Sequence, residues 1–201
     1  MQKIPTVFRR NLTNRKYVTH DVNPECQWVL DGEGVATRKY DGTCVFLDVV
    51  GIWWARREVK PDKTIPPNFV EVVFDEVTGK RQGWVPIEES GWYRFFKEAV
   101  GSGSHGMSSG TYELCGPRIN GNPEGYSRHR LTKHELAQAI ELPETLSYYD
   151  CAVAVLELEV KGREGIVWHH PDGRMAKLKG VDIPESMETL HMIYTVKNNV
   201  D

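Results

Sequence analysis

Hydrophobic and polar residues alternate over short runs through the first ninety positions, as they do in half-buried β-strands. The alternation predicts strands at 35–40, 44–50, 52–58, 69–75 and 82–87, and a further strand follows at 111–116. A turn is expected at 77–80, and Gly51 is expected at a hairpin turn or bulge. The first half of the chain is therefore predicted to be mainly β-structure.

Helical spacing interrupts this pattern in the middle of the chain. Residues 91–100 are predicted to be a helix, with Ser90 as N-cap and Gly101 after the last turn. Residues 131–141 are predicted to be a second helix, because Thr132 and Glu135 have capping-box spacing. The apolar run 146–160 fits either a buried strand or a helix.

The order of these elements indicates the fold class. Residues 164–180 are predicted to be a hairpin about a turn at 171–173, and 101–110 a flexible loop. Strands with inserted helices, and no regular β–α–β rhythm, favour an α+β fold of mainly antiparallel sheets. The 201 residues suit a single domain, 1–201.

Composition and charge exclude some functional classes. No run of about 18 apolar residues is present, and the first residues lack the apolar core of a signal peptide, so we expect an intracellular, cytoplasmic protein without a membrane partner. The net charge of −3 does not indicate nucleic-acid binding, but basic stretches at 9–16 and 56–63 leave it possible. The cysteines at 26, 44, 115 and 151 have neither zinc-site nor disulfide spacing, and reduced thiols without a disulfide partner are expected.

Four short segments carry candidate chemistry. They are KYDGT at 39–43, YELCG at 112–116, EGIVW at 164–168 and KLKG at 177–180. Because strand side chains repeat every two residues, Lys177 and Lys179 are expected to share a face and could reach one phosphate. Taken singly, each segment has an ordinary alternative: a solvated turn lysine at 39, a strand-end charge at 113, an exposed glutamate before a strand at 164, and an amphipathic edge strand at 177–180.

In this order and spacing, the four segments resemble the motifs of the covalent nucleotidyltransferases, a superfamily of ATP-dependent DNA ligases, RNA ligases and mRNA capping enzymes. The longer stretches 18–44, 112–126 and 164–182 are similar to the small 5′–3′ RNA ligases of the RNA ligase 1 family. The resemblance covers roughly residues 4–182. It implies a ligase adenylation core of antiparallel sheets flanked by helices, with the motifs at about 35–182.

The resemblance also implies roles for individual residues. Lys39 is the expected nucleophile, which takes AMP from ATP. Glu164 is the expected ligand of Mg²⁺ (or Mn²⁺), and Glu113 the expected contact to the ribose hydroxyls. A free lysine has a pKa of about 10.4, so a neighbouring cation or burial is needed to expose its electron pair. The remaining expected nucleotide-binding residues are Thr37, Arg38, Asp41, Gly42, Arg56, Arg57, Lys177 and Lys179.

Several of these assignments stay open in the sequence. Asp41 is expected to support the turn or a metal-bound water. Arg56 and Arg57 are adjacent on a strand, so only one should line the site, and the neighbouring pair Trp53 and Trp54 is expected to give at least one core residue. The tyrosines at 148 and 149 are candidates for stacking on the adenine.

The chain departs from the superfamily pattern at two points. Arg38 precedes the nucleophile where many ligases have a glutamate, and arginine pairs naturally with guanine, so the choice of ATP over GTP is open. We expect Arg38 to face substrate or solvent and ATP to remain the cofactor. Only about twenty residues follow KLKG, so no C-terminal OB-fold is expected, which disfavours a capping enzyme.

The expected function is therefore an ATP-dependent RNA ligase of RNA repair, which joins 5′-phosphate and 3′-hydroxyl RNA ends through lysyl-AMP. Two alternatives remain. One is a regulatory nucleotide-binding protein that keeps the ligase core, and the other is an adenylyltransferase with a non-RNA acceptor. The sequence specifies neither the natural RNA ends nor the oligomeric state.

Overall fold

The alternating runs of the first half form antiparallel strands, as expected, in a computed structural model that describes residues 4–101 and 106–190. The fold is α+β, with mostly antiparallel sheets and few helices. The described chain divides into two compact units. The expectation of a single domain over 1–201 stays a prediction, since two compact units can belong to one domain.

The six-stranded unit comprises Asp41–Ala137, of which 102–105 lie outside the described residues. Its strands and helix are β4 (Thr43–Leu47), β5 (Trp53–Val59), β6 (Val70–Asp75), β7 (Lys80–Pro86), α2 (Tyr93–Val100), β8 (Gly110–Cys115) and β9 (Arg130–Lys133). The strands form an antiparallel sheet of the order β6-β7-β5-β4-β8-β9. Two 3₁₀ turns, Ile87–Glu89 and His134–Leu136, complete the unit.

The two faces of this sheet differ in character. One face buries Val45, Ala55 and Leu114 in a core with Phe96 of α2. Trp53 belongs to this core, with its ring centroid 4.9 Å from that of Phe96. Because side chains along a strand alternate between the two faces, Cys44, Arg56 and Glu113 lie on the opposite face.

The three-stranded unit comprises Ile4–Tyr40 and the described residues 138–190. Its elements are β1 (Phe8–Arg10), β2 (Val18–Val22), α1 (Gln27–Leu30), β3 (Val35–Lys39), α3 (Tyr148–Val160), β10 (Gly165–His169) and β11 (Met175–Lys179), with 3₁₀ turns at Pro24–Cys26 and Gly180–Asp182. The strands form a fully antiparallel sheet of the order β11-β10-β3 and a separate pair of β1 and β2.

Helix α3 covers one face of the three-stranded sheet. Ile166, Trp168 and Leu178 lie in the same buried core as Cys151 and Val155 of the helix. The other face of the sheet is therefore left to Lys39, Lys177 and Lys179, which alternate with the core residues.

Residues 5–7 extend along the outer edge of β11. The Lys177 N–H donates to the Pro5 carbonyl, and the Val7 N–H donates to the Lys177 carbonyl, each at 3.0 Å. Thr6 forms a parallel bridge with Lys177. Both backbone groups of Lys177 are therefore paired on this side.

Most sequence predictions of elements are confirmed, but two are wrong. Ser90 is not the N-cap of α2, which begins at Tyr93 after Trp92, because the Ser90 hydroxyl donates to the Ile87 carbonyl at 2.7 Å. The helix expected at 131–141 is instead strand β9 followed by a 3₁₀ turn, because Thr132 pairs with Glu113 of β8. The open case at 146–160 is resolved as helix α3, whose capping box joins Ser147 and Asp150. Among the described residues, no helix has the length and apolar character required to cross a membrane.

Candidate active site

Three lysines of the three-stranded unit share one sheet face. Lys39 of β3 and Lys179 of β11 both pair with Gly165 of the central strand β10. Lys177 lies two pairs further along, opposite Val167. Directly paired residues point to the same side of a sheet, so the predicted common face of Lys177 and Lys179 is confirmed and includes Lys39.

Gly165 allows this arrangement because no side chain fits there. Its φ of +151° favours glycine, and a Cβ would lie 2.2 Å from the Leu178 carbonyl oxygen. The central position between Lys39 and Lys179 therefore carries no side chain that would separate the two amines.

Glu164 joins the two lysines. The Lys39 amine donates to Glu164 Oε2 at 2.5 Å, and the Lys179 amine forms an ion pair with Oε1. The Glu164 side chain is only 13% exposed. Partial burial strengthens this attraction relative to a surface pair.

Lys177 lies in a strongly positive environment. Burial, followed by the charges of Lys39 and Lys179, lowers the pKa of Lys177 from 10.5 to about 8. Glu164 and Asp182 oppose this shift without cancelling it. Such a site favours anionic groups, since a phosphate would relieve the repulsion between the amines.

The two residues before Lys39 lie on opposite faces. Thr37 is on the lysine face, where its hydroxyl donates to the Val167 carbonyl at 3.1 Å. Arg38 alternates to the core side and is 9% exposed, with its guanidinium 4.3 Å from the centroid of the Tyr40 ring. Of the two expected positions of Arg38, the one facing solvent is wrong, because strand alternation places the side chain in a buried position. Contact with substrate stays a prediction.

In the six-stranded unit, the turn at Asp41 and Gly42 is fixed by side chains of later segments. Asn120 donates to Asp41 Oδ1 and to the Gly42 carbonyl, both at 2.8 Å. The Asp41 N–H donates to Glu124 at 3.0 Å, and the Gly42 N–H donates to Glu113 Oε1 at 3.1 Å. Asp41 therefore supports the turn, which is one of the two roles expected for it; the other, contact with a metal-bound water, stays a prediction.

Glu113 has a second partner that the sequence analysis missed. Glu113 Oε2 lies 2.9 Å from His134 Nε2, and His134 Nδ1 lies 2.9 Å from Thr111 Oγ1. His134 sits just after β9, and the wrong helix prediction for 131–141 concealed its position. If residues 130–133 are read as a strand paired with β8, His134 is expected close to Glu113.

The structure distinguishes the two arginines of β5. Arg56 alternates with Ala55 of the core, pairs with Trp84 and donates to Gln82 at 2.6 Å. It therefore shares the sheet face of Glu113, whereas Arg57 has the parity of the core face and is exposed at its margin. Only Arg56 therefore shares a face with Glu113, and its expected contact to a phosphate stays a prediction.

The aromatic candidates fall into different environments. Trp53 is a core residue, which confirms the expectation for that pair. Tyr148 is also buried, next to Phe8, and its hydroxyl donates to Glu185 at 2.7 Å. The Tyr148 ring is therefore part of the core, whereas Tyr149 is only partly buried against the same core.

Three curated proteins named RNA ligase 1 are similar to this chain. The Danio rerio protein is 24% identical over 88% of this chain and 79% of its own length. The Rattus norvegicus and Mus musculus proteins are 26% and 25% identical, each over 72% of this chain and 65% of its own length. The chain thus spans just under two thirds of these two relatives, and no protein-family model matches it. These similarities confirm the resemblance to the RNA ligase 1 family.

Proposed function

We propose that the protein is an ATP-dependent RNA ligase whose nucleophile is Lys39. The observation that carries the proposal is the convergence of Lys39 and Lys179 on one partly buried carboxylate, Glu164, beside the amine of Lys177. A partly buried group of amines on one face is suited to a polyphosphate. The similarity to proteins named RNA ligase 1 supports RNA as the acceptor.

The first step transfers AMP to Lys39. An ammonium has no free electron pair, so Lys39 must leave Glu164 and release one proton to water before it attacks; the nitrogen releases a second proton as the bond to phosphorus forms. A bond then forms between Lys39 Nζ and the α-phosphorus of ATP, and the bond to the β-phosphate oxygen breaks, so that pyrophosphate departs. Lys177 and Lys179 would stabilise the negative charge that develops on the phosphate oxygens.

The donor set fits Mg²⁺ (or Mn²⁺) that binds together with the triphosphate. Glu164 is a hard oxygen ligand, and such ions typically use one or two carboxylates plus substrate phosphates. The amines around Glu164 would repel a divalent cation that arrived without phosphate. When bound, the ion offsets the charge of the leaving pyrophosphate.

The later steps join the RNA ends. An oxygen of the RNA 5′-phosphate attacks the α-phosphorus, the bond to Lys39 breaks, and AMP is left on the RNA end. The 3′-hydroxyl then attacks the 5′-phosphate, loses its proton and displaces AMP. Glu113 is the proposed contact to the ribose hydroxyls of the nucleotide, and Arg56 a proposed phosphate contact.

Mass spectrometry of Lys39 after incubation with ATP and Mg²⁺ tests the proposal. We expect an AMP adduct on Lys39 that disappears when 5′-phosphorylated RNA with a 3′-hydroxyl is added. Lys39→Arg should abolish the adduct, while the matched exposed variant Lys161→Arg should retain it. Absence of the adduct in the unmodified chain would overturn the enzyme assignment in favour of a nucleotide-binding regulator. An adduct that RNA does not discharge would point to an adenylyltransferase with another acceptor.

The choice of nucleotide needs a separate experiment, because Arg38 replaces the usual glutamate. Its buried position on the face opposite Lys39 supports ATP as the cofactor, since the guanidinium is not directed toward the lysine face. Parallel incubation with labelled ATP and labelled GTP should label Lys39 with ATP. Labelling by GTP alone would reverse this assignment.

A further inference from the structure

Three side chains of different metal-binding types meet in the six-stranded unit. Cys44 of β4 and Glu113 of β8 are directly paired across the two strands, and His134 follows β9. The thiol sulfur, a carboxylate oxygen and an imidazole nitrogen all lie within 4.8 Å of one another. Among the residues that the structure describes, they form the one group of this kind.

The group is partly shielded from water and its members are held in place. Cys44 and Glu113 are each 9% exposed. Thr111 holds the far nitrogen of His134, and the Gly42 N–H holds the far oxygen of Glu113. Metal-binding histidines and carboxylates characteristically have such outer partners, which orient the ligating atom.

We propose that Cys44, Glu113 and His134 form a binding site for a borderline-soft divalent cation of the Zn²⁺ type. A thiolate and an imidazole select Zn²⁺ over Mg²⁺ and Ca²⁺, which prefer oxygen ligands alone. A tetrahedral zinc ion holds its ligand atoms about 3.5 Å apart, so small side-chain rotations suffice to close this group. Three protein ligands leave a fourth position for water.

Binding of the ion changes two bonds. The Cys44 thiol loses its proton to solvent as the sulfur–metal bond forms. His134 Nε2 leaves Glu113 and passes its proton to solvent before it binds the metal, while Nδ1 takes up a proton and donates it in a hydrogen bond to the Thr111 hydroxyl. The spacing of the cysteines along the chain did not indicate this site, because the ligands come from three separate segments.

A consequence rests on the proposed function, in which Glu113 binds the ribose. A carboxylate that ligates a metal is no longer available to the ribose hydroxyls, so the ion and the nucleotide should compete. By thermodynamic linkage, each should weaken the other by the same factor. The ion would then act as an inhibitor of nucleotide binding.

Cobalt titration of the full, metal-stripped chain tests the site, because Co²⁺ bound to thiolate has a characteristic charge-transfer absorption. We expect one equivalent of Co²⁺ to produce this band and Zn²⁺ to remove it. Cys44→Ser should abolish the band, whereas Cys151→Ala, which alters another buried cysteine, should retain it. Thr111→Val should weaken binding by about 10- to 100-fold through the orientation of His134.

The result that overturns the site is a wild-type titration without the thiolate band, or a band that Cys44→Ser retains. Circular dichroism of Cys44→Ser verifies that the fold is intact, and His134→Gln provides a second variant that must lose affinity. These titrations contain no nucleotide, so their outcome does not depend on whether Lys39 is labelled with AMP.

Competition is measured by comparing ATP with 2′,3′-dideoxy-ATP, which chelates Co²⁺ equally through its triphosphate but lacks the ribose hydroxyls. ATP should reduce the cobalt band more than the dideoxy analogue does. Equal reduction by the two nucleotides would overturn the competition at Glu113.

Discussion

Replacing Lys177 by methionine should stabilise the protein while impairing its proposed chemistry. In the folded chain the Lys177 ammonium is disfavoured by burial and by Lys39 and Lys179, and Glu164 and Asp182 compensate only partly, so its pKa falls to about 8. Methionine keeps an unbranched stem of similar length and removes the charge. The repulsion among the amines is thereby relieved.

The lowered pKa sets the magnitude and its pH dependence. A shift from 10.5 to about 8 corresponds to about 3 kcal/mol, and solvent screening of the partly exposed amine reduces this to about 1–2 kcal/mol. The cost of the charge is fully present below pH 8. It decreases between pH 8 and 10.5, where the unfolded chain binds more protons than the folded one. The advantage of Lys177→Met should therefore vanish as the pH rises through this window.

Urea unfolding at about pH 7 and about pH 10 measures both effects. Lys161→Met, at the exposed end of α3, is the matched control and should change the free energy of unfolding by less than about 0.5 kcal/mol. The reasoning is refuted if Lys177→Met is less stable than the wild type at about pH 7, or if its advantage is the same at both pH values.

Three further predictions follow from the same geometry. The dissociation constant of ATP, measured by calorimetry, should increase above about pH 8 by up to tenfold per pH unit, because Lys177 loses the charge that the phosphates attract; a flat profile contradicts this. Gly165→Ala should cost about 2 kcal/mol or more in urea unfolding, since its Cβ would collide with β11, whereas Gly91→Ala, with open space around it, should not; equal costs contradict the collision. Asn120→Ala should slow AMP labelling, because the turn at Asp41 loses two hydrogen bonds; an unchanged rate would show that the turn is held without them.

The strand pattern explains why the lysine face could be predicted from sequence. Alternation with a period of two determines which side chains share a face, and it placed Lys177 and Lys179 together correctly. The pairing of Lys39 and Lys179 on either side of Gly165 depends on strand order and register. Both are set by tertiary packing of the sheet against α3, which local sequence does not encode.

The error at 131–141 has a specific physical cause. The capping-box spacing of Thr132 and Glu135 is a local signal, worth about 1 kcal/mol. Pairing of Arg130–Lys133 with β8 forms a ladder of backbone hydrogen bonds, which outweighs that signal. The same pairing brings His134 to Glu113. The wrong helix prediction therefore hid both strand β9 and the contact between these two side chains.

The pairing of residues 5–7 with Lys177 extends the functional centre to the opposite end of the chain. These residues contain no group to which a chemical role is assigned, yet Pro5 and Val7 take up both backbone groups of Lys177. A variant shortened to begin at Phe8 would keep the proposed nucleophile and its neighbouring lysines. It would nevertheless expose the edge of β11 and release the strand that orients Lys177. Truncations that remove residues 5–7 are therefore expected to alter the position of Lys177, although some 170 residues separate them from it in sequence.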